Sequence, residues 1–88
     1  MEIKESYDWY EDRLPGLGER FLNDLDNCLN QIDSNPTIFQ IVYRNLRQGN
    51  LTGFPFVVLF ENEGNDIKIM AVFHTSRNPD GKLRGDQG

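Results

Sequence analysis

The chain has 88 residues, 38% of them apolar and 26% charged, with a formal net charge of −5. That length holds one domain with a thin core, and the acidic balance works against non-specific nucleic-acid binding, which relies on Lys and Arg neutralising phosphates. No apolar run is long enough for a membrane span, Met1 to Asp12 carries no apolar signal core, and the single cysteine, Cys28, has no internal disulfide partner; a reducing, cytoplasmic setting is expected.

The charge is unevenly spread. Residues 1–34 hold nine acids and three bases, a net of −6, while residues 35–88 hold five acids and six bases, a net of +1. A face that meets an anion must therefore come from the second half of the chain.

Two helices come first. In Glu2 to Leu14 the apolar residues Ile3, Tyr7, Tyr10 and Leu14 recur at helical spacing, and Trp9 widens the stripe. Pro15-Gly16 stops this helix, because proline disfavours the helical conformation in the residue before it. The second helix, roughly Leu17 to Asp33, carries Leu17, Phe21, Leu25, Cys28 and Ile32 on one face, and Ser34-Asn35-Pro36 ends it. The acids of the first helix are read as a solvated face, the aromatics Tyr7, Trp9 and Tyr10 as core, and Cys28 as helix packing.

The period then changes. Phe39, Ile41 and Tyr43 alternate with Gln40, Val42 and Arg44, which predicts a strand with one buried face. Gln48-Gly49-Asn50 and Gly53 read as a loosened connection. Phe54 to Phe60 is apolar on both faces, as a central strand is, with Pro55 near its start. Glu63-Gly64-Asn65-Asp66 is a hairpin turn. A last strand places Ile67, Ile69, Ala71 and Phe73 on one side and Lys68, Met70, Val72 and His74 on the other. Asn78-Pro79-Asp80-Gly81 is a second turn signal. One domain is expected over residues 1–81, with a flexible polar tail over 82–88. The class expected is α+β: an N-terminal helical hairpin packed on a small curved antiparallel sheet of three strands.

An ordered set of residues resembles the RelE/ParE superfamily of toxins from type II toxin–antitoxin (plasmid stabilisation) modules. It comprises Tyr7-Asp-Trp-Tyr-Glu11, Pro15-Gly-Leu-Gly-Glu-Arg-Phe21, Asn35-Pro36 with Tyr43-Arg44, Phe54-Pro55-Phe56 and Ala71-Val-Phe-His-Thr-Ser-Arg-Asn-Pro79. The resemblance implies the same hairpin-on-sheet fold, a cognate antitoxin as partner and no cofactor or metal. Family members usually begin with a strand, whereas this chain opens on Glu2-Ile-Lys-Glu-Ser; an open sheet edge and a homodimer through it are therefore expected.

The resemblance also offers two activities: ribosome-dependent cleavage of mRNA, as in RelE-like members, or non-enzymatic inhibition of DNA gyrase, as in ParE-like members. A third reading is an inactive module that only holds an antitoxin. Metal-free RNA cleavage needs a proton acceptor, a cation at the phosphate and a proton donor. Histidine suits proton transfer near neutral pH, and arginine presents two donors to phosphate oxygens. His74 and Arg77 are accordingly the candidate catalytic pair, with Arg44 and Arg47 as candidate substrate-binding cations. The bland reading of His74 is a hydrogen-bonded strand-end residue, and of the arginines, surface charge. Thr75 and Ser76 lack an activating base.

Overall fold

The structure, a computed structural model, describes residues 3–75. Helix α1 spans Ile3–Arg13 and α2 spans Leu17–Ser34; a 3-10 turn, Pro36–Ile38, leads into four strands, β1 Gln40–Tyr43, β2 Leu46–Asn50, β3 Phe56–Glu63 and β4 Asp66–His74. The strands form one antiparallel sheet in the order β1-β2-β3-β4. The α+β hairpin-on-sheet class expected from the sequence is the one observed. The Asn78–Gly81 turn and the tail over 82–88 lie outside the described residues.

The core is built where α2 meets the sheet. Phe21, Leu25, Cys28 and Ile32 are buried from α2, and Phe56, Val58 and Phe60 from β3, with Tyr10 and Leu51 completing the cluster. Phe21 stacks at 4.8 Å on Phe56, 5.4 Å on Tyr10 and 5.6 Å on Phe54, centroid to centroid. Those distances lie in the favourable range for aromatic pairs.

The α1 stripe is rotated from the one its spacing predicts. Ser6 and Tyr10 are buried while Ile3 and Leu14 are exposed. Trp9 is half-buried, edge-on to Tyr10 at 5.2 Å, with the Arg13 guanidinium 4.2 Å over its ring. Glu11 also departs from the solvated face assigned to it. The junction residue Gly16, at φ 91°, offers no side-chain cap to α2, so the Glu11 carboxylate does that work, accepting from Gly16 N–H at 2.8 Å and Gly18 N–H at 2.9 Å. A carboxylate among the free amides of a helix start is favoured by both hydrogen bonding and the helix dipole.

A fourth strand is the main correction to the sheet. Gln48-Gly49-Asn50, expected to be a loosened connection, belongs to β2, which is bonded to β1 on one side and β3 on the other. The reason is Gly49. It is buried against α2, and a Cβ there would lie 3.2 Å from Cys28 Sγ and Phe39 Cε2 and 3.3 Å from Ile32 Cδ1. A glycine inside a strand marks close approach of another element, here the helix. β1 also differs from its expected single buried face, because all four of its residues are exposed.

The β2–β3 loop is tied to the helix by one side chain. Asp24 accepts from Gly53 N–H at 2.8 Å, Thr52 Oγ1 at 2.9 Å and Thr52 N–H at 3.3 Å. Hydrogen bonds to a charged acceptor contribute about 1.5–3 kcal/mol each when well shielded and less when exposed. Asp24→Ala is therefore expected to cost about 2 kcal/mol in total. Urea unfolding followed by Trp9 fluorescence measures it, with the midpoint falling at unchanged slope.

Candidate functional site

Residues paired across antiparallel strands share a sheet face, so the register sorts the candidates. Phe56, Val58 and Phe60 face the helices, and with them go His74, Val72, Gly49 and Arg47. The other face carries Val57, Leu59 and Glu61 of β3. Beside them stand Asn50, Gln48 and Leu46 of β2 and Phe73, Ala71 and Lys68 of β4. Tyr43 of β1, paired with Leu46, joins this face at its edge.

β4 changes sides once. Leu59 pairs with Ala71 but Phe60 pairs with Ile69, so Met70 is an extra, bulged residue. A one-residue bulge reverses the alternation beyond it. This is why Lys68 and His74, assigned to a common side by simple alternation, lie on opposite faces.

His74 is 8% exposed and sits edge-on to the Phe56 ring at 5.1 Å. It extends the aromatic core instead of standing out from the sheet at the strand end. Thr75 closes the strand, its N–H donating to Pro55 O at 2.8 Å. Arg77 lies outside the described residues.

The other two candidate cations, Arg44 and Arg47, occupy different elements. Arg44 belongs to the β1–β2 turn, where its backbone takes φ 52°, and its guanidinium lies 5.3 Å from the exposed Tyr43 ring. Left-handed backbone costs a side-chain-bearing residue about 1–2 kcal/mol. Arg44→Gly is expected to raise thermal stability by about 1 kcal/mol, less the lost ring contact; a calorimetric melting temperature checks it. Arg47 is in β2 and turns to the helix side. There it donates from Nη1 to Phe39 O at 2.7 Å and Thr37 O at 3.3 Å, holding the 3-10 turn.

These placements fix what can meet what. His74 pairs with Phe56 at one end of the sheet, while Arg47 pairs with Phe60 and Leu46 with Glu61 toward the other. With a rise of about 3.3 Å per residue, Arg47 and Arg44 stand roughly 13–20 Å along the strands from His74. One phosphate cannot be shared across that gap. No group of three His, Cys, Asp or Glu among the described residues could hold a metal ion.

The surface away from the helices is therefore apolar at its centre, bordered by the amides of Gln48 and Asn50 on β2 and by the charged pair Glu61 and Lys68 toward one end. Val57 and Leu59 are as buried as the helix-side core, yet stand outside that cluster. The Tyr7 hydroxyl is pushed up because it donates to Glu19 at 3.0 Å and lies among Glu19, Glu11 and Asp8. Burial, then the Asp24 charge, pushes the Cys28 thiol up, which keeps it protonated and unreactive. Of the two carboxylates that organise the backbone, Glu11 has only its nearness to Gly16 and Gly18 as a sequence signal, and Asp24, whose partners Thr52 and Gly53 lie far along the chain, has none.

No helix among the described residues is long and apolar enough to cross a membrane. No curated protein matches the chain. A family model described as the ParE toxin of the type II toxin–antitoxin system parDE matches residues 2–79. That match spans both helices and all four strands, and the chain belongs to this family of toxins within the RelE/ParE superfamily.

Proposed function

We propose that this toxin acts by binding its target, in the manner of ParE-like inhibitors of DNA gyrase, and not by cutting RNA. The observation that carries this reading is the burial of His74 against Phe56 on the helix side of the sheet. A general base must reach the proton it removes, and the cations of the first hairpin stand at the far end of the sheet. The acidic net charge points the same way, since entry into a ribosome gains from positive steering. Family membership implies a cognate antitoxin, and a gyrase target implies action in the cytoplasm.

Ribosome-dependent mRNA cleavage is the second reading, favoured by the spacing of His74 and Arg77 at the end of β4. In it His74 moves the proton, Arg77 holds the phosphate, and Arg44 and Arg47 contact flanking RNA. Purified full-length chain separates the two. The binding reading expects loss of gyrase supercoiling of relaxed plasmid and intact mRNA on programmed ribosomes. Cleaved message with normal supercoiling overturns it, and loss of neither leaves a module that only holds an antitoxin.

A further inference from the structure

A cleft of about 290 Å³ lies between α2 and the end of β2. Asp24, Asn27, Asn30 and Gln31 line it from the helix, and Asn50 and Thr52 from the strand end and the loop after it. Asn30 and Gln31 stand three and four positions beyond Asn27, so the three amides are neighbours on one strip of the helix. Among the described residues their side chains have no hydrogen-bond partner. The core does not use them either, since all three are exposed beside the buried stripe of Leu25, Cys28 and Ile32.

Charge decides what such a cleft can take. No Lys or Arg lines it, so an anion finds no counter-charge there. Its one acidic side chain, Asp24, is held by the uncharged donors of Thr52 and Gly53 and has no salt bridge among the described residues. The same carboxylate acts on the Cys28 thiol, which also borders the cleft. α2 has no basic residue in its last turn, so the negative end of the helix dipole just beyond Gln31 is not offset by the helix's own side chains.

A carboxylate, three side-chain amide oxygens and a helix C-terminus are acceptors, and a cation that only donates satisfies them together. Two such groups are common in biology. Ammonium is compact and strongly hydrated, with three donors; guanidinium is planar and weakly hydrated, with five. An open, polar cleft strips little water from its ligand, which favours guanidinium. We propose that the cleft between α2 and the end of β2 is a binding site for a guanidinium group, with Asp24 countering its charge and Asn27, Asn30 and Gln31 accepting its N–H donors. The group has two sources, a free guanidino compound or an arginine side chain of another protein, and both present the same fork.

The test is an NMR titration of the isotope-labelled full chain with ethylguanidinium, ethylammonium and inorganic phosphate at millimolar concentration. Ethylguanidinium is expected to shift the side-chain amides of Asn27, Asn30 and Gln31 and the backbone amides of residues 52–53, saturably. Ethylammonium should bind about tenfold more weakly, the size of one charge-assisted hydrogen bond, and phosphate should leave these signals in place. Asn27→Ala with Gln31→Ala should weaken ethylguanidinium about tenfold at an unfallen melting temperature, because alanine is the better helix former at exposed positions. Free arginine and acetyl-arginine amide then separate the sources: tighter binding of the free amino acid assigns a small molecule, and equal or tighter binding of the capped form assigns a protein side chain. No saturable shift, equal affinity for ethylammonium, phosphate binding in the cleft, or a double variant that binds as the parent does would each overturn the proposal. Gyrase binding and mRNA cleavage leave all of these readouts untouched.

Discussion

Phe21→Ala is expected to remove about 3–5 kcal/mol of stability. Phe21 has no exposed surface and is the ring at which Tyr10, Phe54 and Phe56 meet. Truncation loses the transfer free energy of the ring and leaves a cavity that two helices and a central strand cannot close together. A domain of this length is stable by only about 4–13 kcal/mol, so the variant stands near its folding limit at growth temperature. Denaturant titration measures the loss. A change below about 1 kcal/mol would mean that the helical hairpin does not pack on β3 as described.

Gly49→Val acts by the opposite mechanism, with a comparable outcome. The first added carbon already lies 3.2–3.3 Å from Cys28, Phe39 and Ile32, and valine brings two methyls beyond it. Either α2 lifts from the sheet or β2 leaves its place beside β3. Overpacking of a dense core costs about 1–3 kcal/mol, and valine, which adds two methyls beyond a Cβ that is already tight, is expected at the upper end. Gly49→Ala should cost distinctly less. The paired melting temperatures discriminate, because a surface loop glycine would tolerate both changes equally.

Gly49 is also a point at which sequence pattern and fold part company. The helical hairpin was legible because its apolar spacing and the Pro15-Gly16 break are local signals. α2 begins at Leu17 as expected and ends one residue beyond Asp33. β3 was legible as a strand apolar on both faces. β2 was not, because a strand whose helix-facing residue must be glycine has lost the alternation that identifies strands, and Gln48-Gly49-Asn50 then reads as a turn. The bulge at Met70 was equally hidden. Nothing in Ile69-Met70-Ala71 announces an extra residue, yet it decides which face His74 occupies. Family membership was legible because its motifs lie in the hairpin, at the 3-10 turn and the end of β1, at the start of β3 and along β4. The placement of side chains on opposite faces depends on register, which only the folded pairing defines.

The central claim is that this toxin's histidine serves its core and that inhibition comes from binding. The most direct measurement is growth arrest on induction of His74→Phe, which keeps a ring against Phe56 while removing both nitrogens. Arrest as strong as that of the parent chain, with supercoiling impaired and messages intact, is the result this account predicts. A folded His74→Phe chain that no longer arrests growth, beside a parent that cuts mRNA, would contradict it.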